Sequence, residues 1–482
     1  MSLPLAEYAS LDATALAALV RSGEISAAEA GDAALRAIGA LNPQLNAVIE
    51  TYPAAPAAAE PGPGAPFGGV PFLLKDIGSH DAGVTCELGS RLAKGLKAPP
   101  FASELVNRFR ASGVTVLGRS NIPELGSSCT TEPLLHGPTR NPWDTGRTAG
   151  GSSGGAAAAV ASGMVPIAHA NDAGGSIRWP AAACGLVGLK PSRNLNPHGP
   201  GEALALNGLA AEHIVSRSVR DTAAMLDATA GPDEGAWCYT PRLDGSYLQR
   251  MTEAPGRLRI ALDLHPRFPP TTLDPEVVAA IRAVARHCED AGHVVEEASV
   301  VFDHEAMLPA FATIWATGLR GAVEALSAMT GRPIDETTLE PHVLAAWRDT
   351  AGVSGVDFNN ALSKMNMVAR AYGETFRSYD LVLTPMGREP AFEIGRIGKI
   401  PADTFFDWFM EMCQHCPFAS AVNIAGLPAI SLPLAWSAGG LPIGAQFVAP
   451  LGHELRLLQL AAQMEQMLPW QDRIPPVHAS RL

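Results

Sequence analysis

Apolar residues in the first fifty positions recur at helical spacing. They predict one amphipathic helix over roughly Asp12 to Arg21 and a second from a capping box, Ser26…Glu29, to near Asn42-Pro43. Residues 53–66 carry no core-forming pattern and read as a Pro/Ala/Gly linker. Short apolar runs then predict strands at Val70–Leu74 and Val114–Leu117, separated by a helix at Ser103–Ser112. An Ala-rich helix at Ala156–Ala161 and apolar segments at 165–169 and 186–189 follow. A further unit reads as strand Leu258–Leu262, helix Asp274–Ala291 and strand His293–Val295, and residues 303–378 are mostly helical. The tail returns to strands at Leu381–Leu383, Ala429–Leu432 and Gly444–Val448, then a helix at Glu454–Met467. Strands at both ends flank the helical middle, which predicts one α/β sheet with a helical excursion at about 300–380.

Composition narrows what such a domain does. With 47% apolar and 17% charged residues, the 482-residue chain can bury a sizeable core. A net charge of −13 and the lack of any basic run argue against a nucleic-acid partner. No long uncharged apolar run and no basic N-terminal region appear, so neither a membrane span nor a signal peptide is expected. Seven scattered cysteines fit the reduced thiols of a cytoplasmic protein. Cys413 and Cys416 match C-x-x-C, but no second pair accompanies them, so the expectation is no metal and no cofactor.

Three residue groups carry candidate chemistry. Lys75 closes the apolar run GGVPFLLKD in a chain of six lysines and 29 arginines. Apolar surroundings favour the neutral amine, and a pKa near 7.5 would reflect roughly 4 kcal/mol of lost charge stabilisation. An ion pair with Asp76 at a strand end is the plainer alternative. The second group, Gly150-Gly151-Ser152-Ser153-Gly154-Gly155, matches G-x-S-x-G in two registers. A nucleophile elbow needs a strand leading into the serine, whereas Asp144–Thr148 reads as loop, and the run also reads as a helix cap. The third is Asp172-Ala173-Gly174-Gly175-Ser176-Ile177-Arg178, whose successive backbone N–H groups suit an anion, or form a plain glycine turn.

The order Lys75, Ser152, Ser176, with GGSSGG and DAGGSIR followed by PAAACGLVGLKP, resembles the amidase signature family. The resemblance extends to Asn141-Pro142-Trp143-Asp144, to Pro417-Phe418…Asn423…Gly426-Leu427-Pro428 and to Gly440–Gln446, and is weakest in the helical middle. It implies a single α/β/α layered domain around a large mixed sheet over residues 1–482, with 1–66 as N-terminal helices and linker. It also implies a Ser–cisSer–Lys triad. Ser176 would be the nucleophile, Ser152 the relay after a cis Gly151–Ser152 peptide, and Lys75 the base. The N–H groups of Ala173, Gly174, Gly175 and Ser176 would form the oxyanion hole, and Asp172 and Arg178 would brace the loop.

There are departures from the family pattern. His169-Ala170-Asn171 replaces the usual Leu-Gly-Thr or Leu-Gly-Ser, and Trp179 replaces a smaller residue. His169 reads as a core histidine. The HAND segment resembles the branch containing 6-aminohexanoate cyclic dimer hydrolases. The expected activity is therefore hydrolysis of small, hydrophobic, linear or cyclic amides through an acyl-enzyme. Carbamates, anilides and esters are the alternative substrates, and an amidotransferase A subunit the more distant one. The expected partners are a small-molecule amide and water, with a homodimer left open. Trp315, Phe406 and Phe409 are the expected substrate-binding residues, with Phe311 and Trp347 as further apolar wall.

Overall fold

The structure, a computed structural model, describes residues 3–52 and 64–482. The predicted linker at 53–66 lies almost wholly outside the described residues. Eleven strands form one mixed sheet. From edge to edge they are Val48–Thr51, Thr115–Ser120, Pro71–Lys75, Ile167–Asp172, Ala211–Ser216, Val187–Lys190, Ala429–Trp436, Pro442–Val448, Leu381–Pro385, Arg259–Leu262 and Val294–Glu297. Every residue of Pro71–Lys75 and of Leu381–Pro385 is buried, as expected of strands covered by helices on both faces. The chain is a single-domain α/β fold.

Most expected elements form within a few residues of their predicted limits. The capping box is present, with the Ser26 hydroxyl accepting from the Glu29 N–H, but that helix runs to Leu45 and takes Pro43 inside it. The Ala-rich helix begins at Gly154, and all eight of its residues are buried. A helix apolar all round belongs in the middle of a domain. Gly155 fits there because a Cβ would come within 2.4 Å of the Asn121 nitrogen. Asp144–Thr148 is a strand and not the expected loop. It pairs with Arg140–Asn141 in a separate two-stranded ribbon and stops short of the serines, so it builds no elbow.

Two parallel neighbours in the sheet place the chemistry. Pro71–Lys75 pairs with Ile167–Asp172 in the register Phe72 to Ile167 and Leu73 to Ala168. Lys75 and the Gly174-Gly175-Ser176 turn therefore emerge side by side at carboxyl ends of adjacent strands, the usual position for sites in such sheets. The helical excursion resolves into His304–Thr330, Pro341–Asp349 and Gly355–Thr375. Its aromatic residues share one buried core with the helix Phe405–Cys413. Among the described residues no helix is long and apolar enough to cross a membrane.

Candidate active site

Lys75 is buried to 1% exposure and its amine is caged by polar atoms. Nζ lies 2.7 Å from Ser152 Oγ, 2.8 Å from Ser153 Oγ and 2.6 Å from Asn171 Oδ1. Burial lowers its pKa from the ordinary 10.5 to about 7, against the opposing pull of the Glu212 and Asp172 charges. The alternative of an ion pair with Asp76 does not form, because Asp76 pairs instead with Arg119. Ser153 is the residue before the helix, yet it makes no cap hydrogen bond. Its hydroxyl serves Lys75 and the Asn171 carbonyl instead. The Gly151–Ser152 peptide is cis.

His169 is fully buried and its two nitrogens are both engaged. Nδ1 accepts the backbone N–H of Lys75 at 3.2 Å, and Nε2 lies 2.7 Å from Glu212 Oε2. An acceptor Nδ1 carries no proton, so the ring is the neutral tautomer with its hydrogen on Nε2, donated to Glu212. Glu212 is a residue that sequence reasoning missed. Its strand, Ala211–Ser216, carries polar residues at buried positions and so hides its apolar pattern.

Ser176 follows Gly175, whose φ of +126° a residue with a side chain rarely adopts. The carboxylate of Asp172 organises this turn. It accepts from the N–H groups of Gly175 at 2.7 Å and Ile177 at 3.2 Å, and from Arg178 Nε and Nη2 at 2.8 and 2.9 Å. This corrects one expectation: the Gly175 N–H is committed to Asp172 and cannot face an oxyanion. Among the described residues, the N–H groups of Ala173, Gly174 and Ser176 have no partner.

Arg178 is itself fully buried. It reaches Gln446 Oε1 and Asn423 Oδ1, both at 2.5 Å, and Asn423 Nδ2 returns to Asp172 Oδ1 at 2.8 Å. Burial alone would raise the Asp172 carboxyl, but the Arg178 guanidinium pulls it well below the ordinary range. Two sequence segments more than 240 residues downstream of Arg178 thus converge on the Ser176 turn. Replacing Arg178 with Met would leave a buried carboxylate unpaired. The expected loss is about 3–5 kcal/mol of stability at neutral pH, measured by urea unfolding.

A cavity opens between this turn and the aromatic core. It is lined by Gly174, Gly175 and Ser176 on one side and by Trp179, Phe311, Trp315 and Phe409 on the other, and its volume is about 30 Å³. The rings of Phe311, Trp315 and Phe409 pack with centroids 5.2–5.7 Å apart. Trp315 and Phe409 therefore line this cavity. Phe406 is not. It is 40% exposed, because Phe405 and Phe409, one helical turn apart, take the buried face. Trp347 is absent from the lining, and Trp179 joins it. Cys129, Cys413 and Cys416 also line the cavity as unpaired thiols, and burial pushes Cys413 up to about 12. A larger hollow, about 650 Å³, lies around Asn42 and His136 and holds none of the three candidate residues.

The family and its named relatives make this chain a hydrolase of carbon–nitrogen bonds. The chain belongs to the amidase signature family: the family model described as Amidase matches residues 29–458. It is 37% identical over 478 residues to the 6-aminohexanoate-cyclic-dimer hydrolase of Paenarthrobacter ureafaciens, covering 96% of each chain. A solved structure of 6-aminohexanoate cyclic dimer hydrolase complexed with substrate superposes with a TM-score of 0.91 at 36% identity, over 97% of this chain and 99% of that one. A bacterial aryl acylamidase of the amidase signature family superposes with a TM-score of 0.85 at 25% identity, over 96% and 97%.

Proposed function

We propose that this amidase hydrolyses small, largely apolar amides, linear or cyclic, with Ser176 as nucleophile, Ser152 as relay and Lys75 as base. The observation that carries the reading is a buried amine bonded to Ser152 beside a cavity onto which Ser176 opens. At neutral pH an amine with a pKa of about 7 is substantially unprotonated, so it can accept a proton.

Ser176 Oγ attacks the amide carbon as its proton passes to Ser152 Oγ, and the Ser152 proton passes to Lys75 Nζ. The oxygen of the tetrahedral intermediate is held by the uncommitted N–H groups of Ala173, Gly174 and Ser176. Collapse breaks the C–N bond. The proton returns through Ser152 to the leaving nitrogen, giving a free amine and an acyl group on Ser176. Water then repeats the sequence from the other side, and the acid leaves.

The aromatic wall favours an apolar acyl or amine portion. The cavity is about tenfold smaller than a usual small-molecule pocket of ~300 Å³ or more, so a substrate of ordinary size requires its lining side chains to rearrange. The relatives' names support an amide such as the cyclic dimer of 6-aminohexanoate. The aromatic wall and the likeness to an aryl acylamidase also favour anilides. A panel of linear amides, lactams, carbamates and p-nitroanilides tests the reading. Hydrolysis of apolar amides is expected, and turnover confined to esters would refute it.

Ser152→Ala separates relay from nucleophile. It should lower kcat by about a thousandfold, within the usual range for one proton-transfer group. The acyl group should still form on Ser176, slowly. The double variant Lys75→Ala/Ser152→Ala should be little slower than either single variant, because both act on one proton path.

A further inference from the structure

The HAND segment departs from the family pattern, and its hydrogen bonds allow a count of the protons around Lys75. Asn171 Nδ2 donates to the Ile77 carbonyl and to Glu212 Oε1, each at 3.2 Å. Both partners accept only, so the amide cannot be turned over, and Oδ1 must face Lys75 Nζ. Ser153 Oγ donates its single proton to the Asn171 carbonyl at 3.3 Å, and so can only accept from Lys75. A neutral amine has two N–H bonds and one lone pair. The two N–H bonds go to the nearest acceptors, Asn171 Oδ1 at 2.6 Å and Ser153 Oγ at 2.8 Å, with the Asn171 carbonyl farther off at 3.4 Å, which leaves the lone pair for the Ser152 hydroxyl at 2.7 Å.

We propose that Asn171 and Ser153 are positioning residues that fix the direction of the Lys75 amine, Asn171 being held in turn by the Glu212–His169 pair. The inference rests on Lys75 acting as the base. The backbone has made room for the device: a Cβ on Gly78 would come within 2.4 Å of both Asn171 Nδ2 and Glu212 Oε1. The same cage also holds the ammonium. Its third N–H finds Ser152 Oγ once that hydroxyl has given up its proton, so Lys75 need not rotate during a cycle. Glu212 and Asp172 raise its pKa, His169 is neutral by its hydrogen bonds, and His198 lies 3.9 Å from Glu212 Oε1, the oxygen that accepts from Asn171.

The test is the second-order rate at which a fluorophosphonate labels Ser176, followed against pH, with the modified residue located by mass spectrometry. Asn171→Leu, close in size, should lower the plateau rate about a hundredfold, and Ser153→Ala about tenfold. In Asn171→Leu the acid limb of the profile should also move below its wild-type position, because the ammonium has lost an acceptor. Looser packing that admitted water would move the limb the other way, toward the ordinary pKa of lysine. Plateau rates within twofold of wild type in both variants would overturn the assignment while leaving Ser176 as nucleophile. If Asn171→Leu does not fold, Ser153→Ala, which removes one oxygen, decides by itself. Labelling of the wild-type chain at another residue would contradict the reading on which the proposal rests, and both would fall.

Discussion

Ser176→Ala is expected to lower kcat by about a million-fold, leaving little beyond what bound backbone donors supply. The expectation follows from where the serine sits. It is carried on a turn whose N–H groups and flanking arginine are bonded to Asp172, and it opens onto a cavity that the aromatic core borders. Removing its oxygen removes the attacking atom and disturbs none of those contacts. Thermal unfolding should therefore change little, since Ser176 is buried but its side chain makes no hydrogen bond among the described residues that the change would leave unpaired, and the loss should stay within about 1 kcal/mol. Steady-state rates on an apolar amide, with a melting curve on the same sample, check both halves of the expectation. Residual turnover near wild type would remove Ser176 from the mechanism.

Lys75→Ala should lower kcat by about ten-thousandfold, the upper end for a single general base. Its signature is the pH profile. In wild type the rate should rise with pH through about 7, as the buried ammonium gives up its proton. At pH 7 about half the amine is then neutral, against roughly one part in three thousand for a lysine left at its ordinary value. The acid limb should vanish in the alanine variant. Persistence of the same limb would mean that another group provides it.

How far the sequence reached can be judged from particular residues. Lys75, Ser152 and Ser176 each stand in a short glycine-rich or strand-end motif that leaves a plainer alternative open, and their expected roles come from the resemblance of those motifs, taken in order, to the amidase signature family. The helix and strand limits were legible wherever apolar spacing was clean, as at Glu454–Met467. Ala211–Ser216 was missed because both of its faces are buried and carry polar residues, Glu212 on one and His213 on the other, satisfied only by partners elsewhere in the chain. The committed Gly175 N–H was invisible for a related reason: nothing in a run of glycines says which amide turns back to the carboxylate of Asp172. Phe406 went astray by one helical position, since an aromatic cluster read as a string does not reveal which side faces inward. His169 was read as a core histidine, and it is buried and fully bonded. Its service to Glu212 and to the backbone of Lys75 required the fold.

The central claim is that the acyl group is carried by Ser176 and not by either serine of the Gly-rich loop. Peptide mapping by mass spectrometry of enzyme quenched with an apolar amide, on the Ser152→Ala background where deacylation is slow, tests it most directly. The account predicts the acyl mass on the peptide containing Ser176. An acyl group on Ser153 in that variant, or on Ser152 in wild type, would contradict it.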